Sequence, residues 1–269
     1  MIKRALFYSL LCVIVIIVIL PFLWTLYASF INSDLDVNKF SLDLSKYGLG
    51  NYTHIIKSNY LIIWYKNSII VTGVITICGL FFNTMAGYAL VRVKIPGQRI
   101  LFLLTLGIMM IPPQILLIPT YILMIKFGWI NTYLALIVPF MVNPFGVFLM
   151  RQFYINFPKE LEDAAKIDGL SRIGIFFRIA LPLSKAGLAA QAIIIFIWNW
   201  NSFMFPSVLV TDPKYYTLPL GIYQITRNTF VSSITKSMAG VVFMTIPVLI
   251  VFILFQRFFI RGISETGIK

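Results

Sequence analysis

The side chains that could do chemistry are concentrated in one polar segment, residues 151–185. Six of the 22 basic residues lie there, together with four of the nine acids: Glu160, Glu162, Asp163 and Asp168. The only histidine, His54, lies elsewhere in the chain. Carboxylates and cations mixed in this way suit a charged contact with another protein better than a catalytic centre. We therefore interpret the segment as a docking surface.

A second set of polar side chains is uncharged and lies inside long apolar stretches. It comprises Asn83, Thr84, Gln114, Asn143, Gln191, Asn199 and Asn201. The commonest role of such residues in a membrane is a hydrogen bond between helices, worth about 0.6–2 kcal/mol. The cluster 198–203, Trp-Asn-Trp-Asn-Ser-Phe, also combines amides with aromatic faces. That cluster could instead line a polar path.

These groups must be positioned by six apolar stretches that contain no Asp, Glu, Lys or Arg. The stretches are Ala5–Ile31, Asn67–Val91, Ile100–Ile125, Ile130–Met150, Ala186–Val210 and Ser237–Gln256. A membrane-spanning helix needs roughly 20 residues, and a charge at mid-membrane costs about 2.5–3.5 kcal/mol. With 59% hydrophobic and only 12% charged residues, the sequence predicts an all-α, multi-pass membrane protein with six transmembrane helices.

The first stretch and the net charge of +13 each allow a second interpretation. Ala5–Ile31 follows two basic residues, as a signal peptide does, but it is too long for one and is predicted to be retained. With the N-terminus inside, fourteen of the 22 basic residues fall on the cytoplasmic side. The positive-inside rule therefore places both termini in the cytoplasm and explains the basicity without nucleic acid.

Cys12 and Cys78 lie in different spans and are interpreted as packing residues, not as a disulfide.

The polar segment 151–185 has the local signals of two short helices around a turn. Pro158 suits a first helical position, and Glu162 and Lys166 have the spacing of an i,i+4 pair. Gly169 is predicted to end the first helix in a left-handed conformation, and Ser171 to cap the second. Four residues of the first helix are predicted to share a face: Leu161, Ala164, Ala165 and Asp168. Adjacent alanines on that face would allow another protein to approach closely.

The same segment resembles the EAA loop of ABC importer permeases. It reads Glu-Leu-Glu-Asp-Ala-Ala-Lys-Ile-Asp-Gly over 160–169, and after nine more residues Ile-Ala-Leu-Pro over 179–182. The family pattern is EAA-x3-G-x9-I-x-LP, and Asp163 stands where the family usually has Glu. In that family the loop forms a coupling helix that docks into a cleft on the ATPase subunit. The resemblance implies that the coupling residues are Glu160, Asp163, Ala164, Ala165, Asp168, Gly169 and Pro182.

The resemblance to this family covers most of the chain from about Asn67 onward. Segments 110–132, 196–219 and 256–263 are similar to maltose-type carbohydrate permeases. The resemblance implies the type I ABC importer permease fold, in three parts. Residues 1–66 are expected to form an N-terminal transmembrane helix and outer loop, 67–257 a core of five transmembrane helices, and 258–269 a cytoplasmic tail.

The resemblance implies that the chain lies in the bacterial plasma membrane and works with several partners. They are a second homologous permease subunit, an ATPase dimer that binds ATP and Mg²⁺, an extracellular solute-binding protein, membrane lipid and a carbohydrate moved by alternating access. The solute-binding protein is expected to meet Tyr215, Tyr216, Tyr223 and Arg227. Because sugars are neutral and hydroxylated, the translocation path is expected to be lined by Asn199, Trp200, Asn201 and Phe203. In the maltose-type system, however, the sugar is held chiefly by the other permease subunit.

The remaining sequence features weigh against other classes of protein. No Gly-Lys dipeptide is present, which excludes a Gly-Lys-Ser/Thr phosphate loop. The apolar stretches contain no relay of Asp, Glu or His, as an ion-coupled secondary carrier would need, and no paired acids for an intramembrane enzyme. We therefore predict that the chain is not an enzyme and holds no cofactor or metal. Within the importer class, a glycerol phosphate, polyol or amino acid remains the alternative cargo.

Overall fold

The computed structural model describes residues 2–37, 39, 41–94, 96–227 and 233–266, and these residues are mainly helical. In chain order the α-helices are α1 (Ile2–Ser29), α2 (Gly50–Ile56), α3 (Leu61–Arg92), α4 (Gln98–Met109), α5 (Leu117–Lys126), α6 (Tyr133–Ile137), α7 (Pro144–Ile155), α8 (Lys159–Ile167), α9 (Arg172–Ile175), α10 (Leu181–Leu183), α11 (Lys185–Trp200), α12 (Met204–Leu209), α13 (Leu218–Arg227) and α14 (Ile234–Thr266). Over the described residues no strand forms, and a single isolated bridge pairs Ile31 with Tyr47. The predicted all-α class is confirmed.

Shorter helical turns complete the described secondary structure. The 3-10 turns are Asp34–Asp36, Leu44–Lys46, Pro113–Leu116, Val138–Phe140 and Pro213–Tyr215. A π-helical stretch, Phe176–Ala180, joins α9 to α10. Pro182 follows this stretch, and because proline has no N–H it cannot continue a regular hydrogen-bond ladder there.

The membrane-spanning elements match the six predicted stretches in number. By length and composition four elements can cross: Leu6–Ser29, Leu61–Arg92, Tyr133–Ile155 and Ile234–Leu254. Two further pairs of helices qualify only as bent spans. The first, Gln98–Met109 with Pro113–Lys126, is bent by 93°, and the second, Arg172–Leu183 with Lys185–Trp200, by 75°. Counting each pair as one span gives six.

The six apolar stretches predicted neither bend, and a proline lies near each of them. Pro112 and Pro113 lie in the break between α4 and α5, where two residues in succession lack the N–H that a helix requires. The second bend begins near Pro182 and extends the fifth span back into the polar segment. The predicted stretch Ala186–Val210 also contains a separate break, between α11 and α12.

The chain forms two compact units, which are described separately. The first comprises Met1–Ile62 and Leu218–Pro247, and the second comprises Ile63–Thr217 and Val248–Lys269. The first unit also includes a later part of the chain, which the sequence interpretation had placed in the core of five helices. The predicted tail 258–269 continues α14 as far as Thr266.

In the first unit, the segment after α1 is tied to the start of α14. Asn51 Nδ2 donates to the carbonyls of Ser29 (3.0 Å) and Ile31 (2.8 Å). Asp34 Oδ1 accepts from the backbone N–H of Thr235 at 2.8 Å and from its hydroxyl at 2.9 Å. Asp34 thus satisfies a free N–H in the first turn of α14 although it lies about 200 residues earlier in the chain.

In the second unit, the core lies where α3, α7 and the π-helical stretch meet. Its buried members are Tyr88, Met150, Tyr154, Phe157, Phe176 and Ala180. Gly87 permits the close approach of α3 to α7, because a Cβ at this position would lie 2.8 Å from the backbone nitrogen of Arg151. Helix α8 packs against this core, since Tyr88 hydrogen-bonds Glu162 of α8.

Candidate coupling site

Helix α8 is ended by a glycine in a left-handed conformation, as the sequence predicted. Gly169 has φ +81°, its N–H donates to the carbonyl of Lys166 (3.0 Å), and the N–H of Leu170 donates to the carbonyl of Ala165 (3.0 Å). These two bonds form a Schellman motif, which satisfies carbonyls that the helix end leaves open. At the other end, Pro158 is the N-cap and not the first helical residue, one position earlier than predicted.

The second short helix also begins as predicted. The hydroxyl of Ser171 accepts from the backbone N–H of Gly174 at 3.2 Å, which caps α9. Pro182 lies on α10 with an exposed ring, beyond the π-helical stretch. Predicted coupling residues therefore lie on two elements, α8 with its end turn and α10.

The exposed face of α8 carries most of the predicted coupling residues. The exposed side chains of the helix and its end turn are Lys159, Glu160, Leu161, Asp163, Ala164, Lys166, Ile167 and Asp168. Ala165 is only 4% exposed and packs inward. The predicted pairing of two adjacent alanines on one face is therefore wrong, since neighbouring residues on a helix point about 100° apart. Of the two alanines, only Ala164 lies on the exposed face.

The inward face of α8 is anchored by a buried ion pair. Arg92 Nε lies 2.7 Å from Oε1 of Glu162, with side-chain exposures of 8% and 5%. The Tyr88 hydroxyl donates to the other carboxylate oxygen at 3.3 Å, and the Arg92 guanidinium also donates to the carbonyl of Phe157. Because both charges are paired and hydrogen-bonded, the burial of this pair is compensated.

The predicted pair between Glu162 and Lys166 is wrong. Lys166 Nζ instead lies 2.6 Å from Oδ1 of Asp163, an i,i+3 pair with both side chains largely exposed. The hydrogen bond from Lys166 lowers the pKa of the Asp163 carboxyl below its ordinary value. Asp163 is therefore a charged acid on the outer face of α8. Glu162 was misassigned because its partner, Arg92, lies 70 residues earlier on another helix.

A cleft of about 330 Å³ opens beside this ion pair, between the end of α3 and α8. Its charged lining residues are Arg92, Lys94, Lys159, Glu162, Asp163, Lys166 and Arg172. Cations outnumber carboxylates around the cleft, so an acidic group of a docking protein would be attracted to it.

The four predicted path residues lie close together, but their environments differ. Trp200 is 1% exposed, and its ring stacks on Phe196 with centroids 5.6 Å apart. Asn199 is half-buried, whereas Asn201 and Phe203 are exposed. The amide N–H groups of Asn199 and Asn201 donate to carbonyls one turn earlier in their own helix. Trp200 therefore acts as a packing residue in this conformation.

Other intramembrane amides do connect helices, as the commoner interpretation predicted. Asn83 Oδ1 on α3 accepts from the backbone N–H of Asn143 at 3.1 Å. The Thr84 hydroxyl, also on α3, lies 3.3 Å from Oε1 of Gln191 on α11. Asn143 caps α7 by accepting from the N–H of Gly146 at 2.7 Å. This network fixes the start of α7 between its neighbours.

The four predicted contacts of a solute-binding protein are divided between the two units. In the second unit, the Tyr215 ring lies edge-on to Tyr133, and the Tyr216 hydroxyl donates to the carbonyl of Thr211 (2.9 Å). In the first unit, the Arg227 guanidinium donates to the hydroxyl of Tyr223 (2.5 Å) and lies 5.4 Å from its ring centre. The structure therefore does not bring all four together within one unit.

The loop that carries Tyr215 and Tyr216 is held by residues that the sequence interpretation did not select. Asn67 Nδ2 donates to the carbonyls of Lys214 and Tyr216, both at 2.8 Å, and the Trp64 indole N–H donates to the carbonyl of Pro213 (2.8 Å). Their 147–149-residue separation from the loop explains why no local signal reveals the contact. No group of three or more metal-binding side chains occurs among the described residues.

Comparison with known proteins identifies relatives over nearly the whole chain. Residues 75–265 match the family model of the binding-protein-dependent transport system inner membrane component. The chain is 40% identical to the arabinooligosaccharides transport system permease protein AraQ of Halalkalibacterium halodurans, over 95% of this chain and 93% of that protein. It is 31% identical to the trehalose/maltose transport system permease protein MalG of Thermococcus litoralis, over 94% and 92%.

A solved structure shows the same fold. It is the crystal structure of a bacterial ABC transporter involved in the import of the acidic polysaccharide alginate, and the TM-score is 0.78 with 22% identity over 96% of each chain. At this identity the similarity concerns the fold alone. The predicted type I importer permease fold agrees with it.

Proposed function

Because the chain belongs to the family of binding-protein-dependent transport system inner membrane components, we propose that it is one of two paired permease subunits of an ATP-driven importer of neutral carbohydrate. The observation that carries the proposal is α8, a short helix with charged side chains of both signs on its exposed face and a buried ion pair beneath it. A separate ATPase dimer binds ATP and Mg²⁺ and docks on this face in the cytoplasm.

The contacts of α8 support a role in transmitting movement. The exposed face presents Glu160, Asp163, Ala164 and Asp168 to the ATPase, and Gly169 sets the angle at which the chain leaves it. The buried pair of Arg92 and Glu162 holds the opposite face against the end of α3. Movement of the ATPase is thus passed to a 32-residue helix that is long enough to cross the membrane. Both chain termini lie in the cytoplasm, in agreement with the excess of basic residues there.

A neutral carbohydrate is the cargo that the chemistry of the spans favours. The relatives described above transport arabinooligosaccharides and trehalose or maltose, according to their names. A phosphorylated cargo such as glycerol phosphate would call for a cation in the path, and the six apolar stretches contain no Lys or Arg. The solute-binding protein delivers the sugar on the outer side, where Tyr215, Tyr216, Tyr223 and Arg227 contribute to its contact surface.

Affinity purification in mild detergent from native membranes tests the assembly. We expect a second permease, an ATPase and a solute-binding protein to co-purify, and the reconstituted complex to take up neutral oligosaccharide only with ATP. Uptake by the chain alone in liposomes, without ATP, would contradict the proposal and indicate a secondary carrier.

The role of α8 is tested by substitution of Asp163. Asp163→Lys reverses the charge on the docking face and should abolish uptake and weaken ATPase co-purification. The matched control is Lys166→Gln, which removes the pair between Lys166 and Asp163 but keeps the carboxylate. Normal uptake in Asp163→Lys, or equal loss in both variants, would contradict a docking role for this acid.

A further inference from the structure

Three interruptions in the membrane-spanning helices meet at one cleft in the second unit. The interruptions lie between α4 and α5, before α7, and between α11 and α12. Pro113, Asn143 and Ser202, one residue from each interruption or its edge, line a common cavity of about 560 Å³. Ligand sites in proteins have volumes of about 300–1,000 Å³, so the cavity is large enough to hold a small ligand.

Interrupted helices at membrane depth carry a physical cost. Each break leaves backbone N–H and C=O groups outside the helical ladder, and hydrocarbon cannot satisfy them. Such breaks are therefore tolerated where they line a polar cavity or are covered by protein, and transporters build central binding sites from discontinuous helices in this way. The meeting of three breaks at one cavity is the arrangement expected of a site that receives a polar cargo.

The lining of the cleft fits a neutral, hydroxylated ring. Trp198 is 53% exposed, and Phe145 lies against it with ring centroids 5.1 Å apart. The polar side chains are the amides of Asn143 and Asn199 and the hydroxyls of Thr120 and Ser202, and the rest of the lining is apolar or aromatic. None of the lining residues is Asp, Glu, Lys, Arg or His. Aromatic faces suit the C–H face of a sugar ring, and uncharged amides suit its hydroxyl groups.

Both amides are oriented by the protein yet retain capacity for a ligand. Asn199 uses one N–H for the carbonyl of Ile195 at 2.8 Å, and Asn143 uses its side-chain oxygen for the N–H of Gly146 at 2.7 Å. An amide side chain offers two donors and two acceptor sites. Each therefore keeps groups with which to bind a sugar hydroxyl, while its own position is already fixed.

We propose that this cleft is a carbohydrate-binding subsite within this subunit, in which Trp198 stacks on a sugar ring while Asn199 and Asn143 hydrogen-bond its hydroxyl groups. The inference rests on the proposed function and extends it, because it gives this permease a direct contact with the cargo in addition to any contact in its paired subunit. Trp198 and Asn143 replace Trp200 and Asn201 as the residues beside Asn199 that meet the sugar.

Accessibility of an introduced thiol tests the subsite. Ser202→Cys places a thiol in the cleft by an isosteric change, and Ser207→Cys, an exposed position on α12 outside the lining, is the matched control. Both are made with Cys12→Ser and Cys78→Ser in the reconstituted importer, and the mass of this chain reports modification by a small maleimide. The probes are arabino- and maltooligosaccharides, each with its solute-binding protein present.

The transported oligosaccharide should slow modification at position 202 at least about fivefold and leave position 207 unchanged. A second measurement uses Trp198→Ala, which should lose most uptake while ATP hydrolysis continues, and Trp198→Phe, which should recover much of it by restoring an aromatic face. Two results obtained with normal uptake would contradict the subsite. If position 202 is never modified, the cleft is covered by the paired permease or by lipid. If it is modified at the same rate with and without sugar, the sugar does not bind in the cleft. If no neutral sugar is taken up at all, the proposed function itself fails.

Discussion

Arg92 and Glu162 form a buried ion pair that joins the end of α3 to the inner face of α8. Their charged atoms are 2.7 Å apart although 70 residues separate them in the chain. Tyr88 and the carbonyl of Phe157 complete the hydrogen bonding of both charges. A helix held in this way moves together with α3, so under the proposed function a displacement of α8 by the ATPase would reach the membrane-spanning part of the protein.

Loss of either partner alone should be severe. Glu162→Leu leaves the Arg92 guanidinium buried without a counter-charge, which costs about 3–5 kcal/mol. The double variant Arg92→Leu/Glu162→Leu removes both charges and should recover most of the stability. Thermal unfolding of the purified importer in detergent measures this. Transport per ATP hydrolysed should still be lower in the double variant, because the rigid link is missing.

A half-buried ion pair, more accessible to water than that of Arg92 and Glu162, provides the control for that experiment. Lys46 Nζ lies 3.1 Å from Asp36 Oδ1, with side-chain exposures of 34% and 26%. Lys46→Ala should change stability by less than about 1 kcal/mol. A double variant as unstable as Glu162→Leu alone would contradict a compensated buried pair.

The turn after α8 should tolerate asparagine but not valine. Gly169 has φ +81° and no atom within 4 Å of the position a Cβ would take, so only backbone conformation restricts this site. A left-handed conformation costs other residues about 1–2 kcal/mol, and asparagine adopts it more readily than β-branched residues do. We expect Gly169→Asn to retain most uptake and Gly169→Val to lose uptake and ATPase co-purification. Equal behaviour of the two variants would show that the left-handed turn is not required.

The amide network at the start of α7 predicts a steric effect at Gly146. A Cβ there would lie 2.3 Å from Asn83 Nδ2 and 2.6 Å from Gln191 Nε2. Gly146→Ala should therefore displace both amides and destabilise the protein by about 1–3 kcal/mol, measured as a lower unfolding temperature. Gly73→Ala is the control, because no atom lies within 4 Å of its Cβ position. Should both variants unfold at the wild-type temperature, the network does not constrain α7.

The first unit should lose stability in acid through Asp34. Burial raises the pKa of its carboxyl, but hydrogen bonds from Thr235 and Ser233 outweigh this effect and place the pKa below its ordinary value. A carboxylate with a depressed pKa contributes stability that is complete above its unfolded pKa of about 3.9 and is lost as the pH falls through the folded value. Asp34→Ala should destabilise the protein by about 1 kcal/mol at pH 7, because it removes the acceptor of the first-turn N–H, and should weaken the dependence of stability on pH below about pH 4. An unchanged pH profile in this variant would exclude the cap.

Local signals in the sequence were sufficient for some parts of the coupling site. The left-handed turn at Gly169 and the cap at Ser171 depend on neighbouring residues only, and both were predicted correctly. Glu162 was misassigned because the i,i+4 rule compares residues on one helix. Whether Glu162 faces outward or inward depends on Arg92, which only the folded chain brings near.

In the membrane-spanning part, too, features that depend on composition could be predicted, whereas contacts between distant residues could not. Charge-free stretches predicted the number of spans, because the cost of burying charge depends on composition. The convergence of three helix breaks could not be predicted, since it requires knowledge of which helices are neighbours. Two tryptophans two positions apart have different environments. Trp200 is buried against Phe196, whereas Trp198 lines the cleft.

If the ATPase contacts this chain at α8, as we propose, two adjacent alanines of that helix should differ in their contact with it. Ala164 is exposed and Ala165 is 4% exposed on the same helix. Ala164→Cys and Ala165→Cys, each with Cys12→Ser and Cys78→Ser, would be treated in membranes with a thiol-to-amine cross-linker. We expect the thiol at position 164 to cross-link to an ATPase subunit and the thiol at position 165 not to do so. Modification of position 164 by a membrane-impermeant reagent added outside intact cells, with no cross-link to an ATPase, would contradict it.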